Sequence, residues 1–170
     1  TMKKIVVALF ALTFLALPSA QAETPVIRIV DKPHTNFDGT FRNNELAASL
    51  LPNGKLGKLI FGLPSTKKTF VIDAALITEI EDMADGYSYA GKEDPAGQQT
   101  ASNWLFRLRN AVTYNNVVAL PFGNPDEKLA KSLAPSELKN YFAFGKSQLE
   151  AALGRSVRSE PSGGWSTGKS

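Results

Sequence analysis

The chain has 170 residues, with 19 Lys and Arg against 16 Asp and Glu, one His and no Cys. Its formal charge of +3 falls to +1 once Lys3 and Lys4 are set aside as part of a leader, so the balance points to neither nucleic acid nor an anionic membrane surface. The lack of Cys excludes disulfides, thiol nucleophiles and Cys-based zinc sites, and a domain of this size must then be held by its apolar core.

Residues 1–22 have the form of a secretory signal peptide. Lys3 and Lys4 start it, an apolar run from Ile5 to Leu17 follows, and Ala20-Gln21-Ala22 supplies the small-x-small cleavage pattern. The run is shorter than the roughly 20 residues a helical membrane span needs, and no second run of that length follows. The expectation is an exported protein, extracytoplasmic in the cell envelope or secreted. It would meet a membrane only through an uncleaved leader or a downstream part of a longer chain.

The mature region, 23–154, predicts an α/β domain. Val26 to Val30 is a strand that runs into Asp31-Lys32-Pro33-His34. A polar loop with the Asp38-Gly39 turn leads to a helix through Glu45 to Leu51, capped by Asn43 or Asn44. A second helical piece is expected from Leu56 to Leu63. Thr69 to Ile72 is the next strand, and Asp73 caps a helix whose buried stripe is Leu76, Ile77, Ile80 and Met83 or Ala84. Tyr87 to Gln99 reads as loop, with Gly91, Asp94, Pro95 and Gly97 as breakers.

A helix with Ala101, Trp104, Leu105, Leu108 and Val112 at three-and-four spacing precedes the most apolar strand, Val117 to Leu120. That strand breaks at Pro121-Phe122-Gly123-Asn124-Pro125-Asp126. Helices are expected over Glu127 to Leu133 and Ser136 to Leu153, and 155–170 reads as a flexible or truncated tail. Strand and helix alternation of this length predicts three parallel strands in a βαβαβα unit, the first part of an incomplete (β/α) barrel.

Parallel strands would bring their polar carboxyl ends to one edge, where α/β proteins bind ligands. Asp31, Asp73 and Asp126 stand at those ends and are candidate catalytic carboxylates, able to divide into acid and base if their environments differ. Helix capping is the competing explanation, above all for Asp73 and Asp126. His34 is a further catalytic candidate, set against a role in shaping its loop through a hydrogen bond to a backbone carbonyl. Asn124 and Tyr87 are candidate ligand contacts, whereas Trp104 lies on an apolar stripe and belongs to the core.

With one His, no His-rich metal site can be assembled, and no metal or cofactor is expected. Glu81 and Asp85 share a helix face that could take calcium, but a solvated face is the commoner meaning of such a cluster. Gly163-Gly164-Trp165-Ser166-Thr167-Gly168-Lys169-Ser170 fits the phosphate-loop formula without the strand before it, so no nucleotide is expected.

Several segments together resemble the amino-terminal part of an uncharacterised actinobacterial family of exported, membrane-anchored envelope proteins. They are Ile29-Val30-Asp31-Lys32-Pro33-His34, Asp38-Gly39-Thr40-Phe41, Glu45-Leu46-Ala47, Val71-Ile72-Asp73-Ala74-Ala75-Leu76, Asp82-Met83-Ala84-Asp85-Gly86-Tyr87, Trp104-Leu105 and Ala119 to Asp126. The resemblance runs to about Leu153. It implies a barrel similar to those of polysaccharide deacetylases and glycosidases, in a protein often encoded beside the peptidoglycan lipid flippase. The family's anchor and later strands are missing here, which makes a piece of a longer protein the expectation. The paired-histidine metal motif of true deacetylases is missing too, and no catalytic residue carries over.

The function expected on these grounds is a glycan-binding or scaffolding module of the cell envelope. A carbohydrate hydrolase or deacetylase using the strand-end carboxylates is the first alternative, and a protein-interaction domain of wall-assembly machinery the second. Partners would be cell-wall glycan or envelope proteins.

Overall fold

Short β-branched runs form the sheet, and helices with one apolar stripe cover it. A computed structural model gives the fold of residues 23–159. The leader expected at 1–22 and the phosphate-loop formula at 163–170 lie outside the described residues. Four strands, β1 (Val26–Ile29), β2 (Thr69–Ile72), β5 (Asn116–Ala119) and β6 (Arg158–Ser159), make a parallel sheet in the order β1-β2-β5-β6. Arg28, Val71, Val118 and Arg158 are in register, as are Ile29, Ile72, Ala119 and Ser159. Every residue of β2 is buried, which fits its position between two neighbours with helices over it.

The helices are α1 (Glu45–Leu50), α2 (Ala74–Asp85), α3 (Pro95–Val112), α4 (Glu127–Leu133) and α5 (Leu138–Leu153). One sheet face, with Ile29, Phe70, Ile72, Val117 and Ala119, packs into the main core with the stripes of α1, α2 and α3 and with Leu149 and Leu153 of α5. Trp104 is fully buried there, and its indole Nε1 donates to the Leu56 carbonyl at 3.1 Å. The opposite face, with Val71, Val118 and Leu120, is covered by Phe142, joined by Ala130 of α4 and by Leu138.

The α/β class and the parallel run of β1, β2 and β5 match the sequence expectation, with four corrections. The sheet has four strands instead of three, and the fourth comes from the stretch expected to be tail. Arg158 and Ser159 carry no apolar signal and take their strand geometry from pairing with β5. The piece from Leu56 to Leu63 is only a 3-10 turn at Gly57–Leu59. Its backbone is drawn back onto the end of α1 by Leu56 N donating to the Ser49 carbonyl at 2.9 Å.

The loop after Tyr87 holds a hairpin, β3 (Ser88–Tyr89) and β4 (Lys92–Glu93), whose two connecting residues, Ala90 and Gly91, both have positive φ, +50° and +74°. Such a two-residue turn matches strand twist and favours Gly or Asn. Finally, α3 starts at Pro95 rather than Ala101. Asp94 caps it through the Gly97 amide at 3.0 Å, and Pro95 is a start signal where the sequence suggested a break. Among the described residues no helix is long and apolar enough to cross a membrane.

Candidate functional site

Parallel register puts the carboxyl ends of β1, β2 and β5 on one edge, and Asp73 stands at its middle. It caps α2 by accepting from the Ala75 amide at 3.0 Å, and the same Oδ1 accepts from the Gly123 amide at 2.9 Å. One oxygen thus starts a helix and holds the turn after the neighbouring strand. Asp73 is 3% exposed. Burial pushes its carboxyl up to about 6, against the two amides, which favour the ionised form; Glu79 adds to the rise and Arg28 opposes it.

Arg28 is the one charged residue within the apolar run of β1. Its Nη2 donates to Asn124 Oδ1 at 3.1 Å, which links the first strand to the turn after β5. Burial lowers its guanidinium from the usual value while the Asp73 charge works the other way. Asn124 has φ of +41°, in the left-handed region that Asn tolerates better than most residues. That turn is clamped from behind: Phe122 N donates to the Tyr141 carbonyl at 3.0 Å, and α5 approaches so closely that a Cβ on Gly145 would stand 2.3 Å from the Leu120 carbonyl oxygen.

Beside this group, Asp31 accepts from Lys55 Nζ at 2.7 Å and from the Lys32 amide at 2.9 Å. Burial raises its carboxyl, but the Lys55 ammonium and the Lys32 amide outweigh that and hold it below the usual range. His34 is buried, and its Nε2 lies 3.4 Å from Asp31 Oδ2 with no hydrogen-bond partner. Nε2 therefore does not make the carbonyl bond expected of a loop-shaping histidine. The loop is shaped by Glu79 of α2 instead. Its carboxylate accepts from the amides of His34 and Thr35, both at 3.0 Å, and from the Thr35 hydroxyl at 2.7 Å.

Asp31, Lys32, Pro33, Asp73, Glu79 and Gly123 line a cleft of about 50 Å³. It has room for a water or two but not for a sugar ring. The structure thus brings Asp31, His34, Asp73 and Asn124 to one edge. Asp126 is exposed and does not line the cleft; it caps α4 through the Leu129 amide at 2.7 Å. Tyr87 belongs to a different cluster. Its hydroxyl donates to Asp94 Oδ2 at 2.7 Å and contacts Asn44 Oδ1, while Phe41 meets its ring edge-on. Burial and the Asp94 carboxylate push the phenol well above its ordinary range.

Arg28, Glu79 and Lys55 are the site residues that sequence reasoning missed. Arg28 could have been found as a charge inside a strand, and Glu79 as an acid at a stripe position between Leu76 and Met83. Lys55 leaves no such trace. Among the described residues no three His, Cys, Asp or Glu side chains form a metal site, and Glu81 pairs with Arg109 at 3.3 Å. Chemically, the edge offers a buried carboxyl raised to about 6, a carboxylate held below its usual range, a guanidinium and an amide. No protein-family model matches the chain, and no curated protein is similar enough in sequence to count as a relative.

Proposed function

We propose that the carboxyl edge of the sheet is a recognition site for envelope glycan, and that the chain is an exported binding or scaffolding module. The observation that carries this is the convergence of Arg28, Asp73 and Asn124 from three segments, beside a cleft also lined by Asp31. Carboxylate, guanidinium and amide groups fixed by their neighbours suit bidentate contacts to sugar hydroxyls. The half-exposed Phe144 ring, its centroid 4.7 Å from that of Phe122 in the turn after β5, adds an apolar face of the kind that lines ligand sites. The small cleft favours shallow recognition over enclosure of a substrate.

The leader, the family resemblance and the barrel-like winding support the same placement. Strands added in chain order, β1-β2-β5-β6, follow barrel winding, whereas a doubly wound sheet reverses direction. The fold is accordingly read as the opening part of an incomplete (β/α) barrel.

Cosedimentation with purified peptidoglycan sacculi tests the proposal. Retention of the protein, lost in Asn124→Ala and Arg28→Gln, is the expected result. No retention, or retention unchanged in both variants, refutes it.

A hydrolase reading is favoured by one observation. The cleft holds two carboxyl groups pushed apart, Asp73 upward to about 6 and Asp31 below its usual range, the division that assigns acid and base in glycoside chemistry. New reducing ends from sacculi, abolished by Asp73→Asn and by Asp31→Asn, would establish it. Their absence leaves binding alone.

A further inference from the structure

At the opposite end of the sheet, where β2 and β5 begin, lies a cavity of about 490 Å³ whose charged lining residues are Lys67, Lys68 and Arg107. Lys68 is only 4% exposed. Its Nζ donates to the carbonyls of Pro64 and Thr66, and its third contact, to Thr66 Oγ1, is long at 3.5 Å. Among the described residues, none of the three cations has a carboxylate within ion-pairing distance; Arg107 only lies over the Phe61 ring, 5.9 Å from its centroid. Burying a charge is costly unless an opposite charge accompanies it, and carbonyl dipoles meet that need in part. The cavity falls in the size range of small-molecule sites.

We propose that this cavity is a binding site for a small organic anion, with its phosphate or carboxylate group against Lys68, Lys67 and Arg107. Its apolar body would rest on Ile60, Leu63 and Phe70, which belong to the apolar part of the lining. Asn110 and Asn115 stand beside the cations as neutral hydrogen-bonding groups. The contrast with the cleft at Asp85, Glu93 and Asp94, whose charged lining residues are all acids, argues that the basic lining is specific to this end. The site shares no residue with the carboxyl edge, so it stands whether or not glycan binds there.

The test is amide NMR titration of the purified protein with phenyl phosphate, benzoate and, as neutral control, benzyl alcohol. Saturable shifts at Asn110, Asn115 and Arg107 with one or both anions, and none with the alcohol, are expected; which anion binds more tightly identifies the headgroup. Lys67→Gln and Arg107→Gln, on exposed side chains, should each weaken binding about tenfold, the size of one lost charge-assisted hydrogen bond. Lys68→Met should abolish it. If that variant fails to fold, the two exposed ones carry the result alone. No saturable shift with either anion, equal shifts with the alcohol, or unchanged affinity in both exposed variants overturns the proposal.

Discussion

Replacing Asp73 by Asn is expected to stabilise the protein at neutral pH. The carboxyl titrates at about 6 when folded, against an ordinary value of 3.8. A raised acid pKa means that the native state holds a proton which the unfolded state releases, so stability falls as pH climbs from about 4 to about 6 and stays lower beyond it. A difference of about two units corresponds to about 3 kcal/mol. Asn keeps an Oδ1 that can accept from the Ala75 and Gly123 amides, and it never ionises.

The variant should therefore match the native protein near pH 4 and exceed it by up to about 3 kcal/mol above pH 7, a figure already net of the Arg28 attraction. Asp31, Asp38, Glu45 and Asp94 have lowered carboxyl groups, whose stabilisation is present at neutral pH and lost in acid. They occur in both proteins and cancel in the difference. Urea unfolding of both across pH 4 to 8 measures it. Parallel pH profiles, or an Asn variant less stable above pH 7, would refute the burial argument. Agreement would mark Asp73 as a residue kept at a cost in stability, the signature of a working site.

Glu79→Ala should lower stability by roughly 2–3 kcal/mol, because two backbone amides and a hydroxyl lose a charged acceptor; urea midpoints check this, and Glu79→Gln should recover part of the loss. Ala90→Asn should raise stability by about 0.5–1 kcal/mol, since Ala90 sits at φ +50° in a turn that prefers Asn there, and a shift in Tm reads it directly.

Much of the layer plan was legible in the chain because its signals are local. β-Branched runs, helix stripes and Asp caps gave β1, β2, β5 and most helices, and the length of the crossovers gave their parallel direction. What escaped depends on neighbours. Arg158 and Ser159 become strand by lying beside Val118 and Ala119, and Leu56 is drawn out of a helix by the end of α1 and by Trp104. At the site, Asp31, His34, Asp73 and Asn124 were picked out by position at strand ends, and that is where they meet. Asp126 stands out by the same logic and Tyr87 as a candidate ligand contact, but each is held by nearby groups that sequence distance does not weigh: the first turn of α4 for Asp126, and Asn44 with Asp94 for Tyr87.

The link from Glu79 to the loop after β1 has a practical use. The amides of His34 and Thr35 end on a side chain instead of a ladder, so their solvent exchange needs only the swing of one glutamate and not the opening of the sheet. Because Glu79 rides on the helix that Asp73 begins, anything that seats itself at that edge and stiffens the helix should slow those two protons together. They are a built-in gauge of occupancy that needs no label and no knowledge of the ligand.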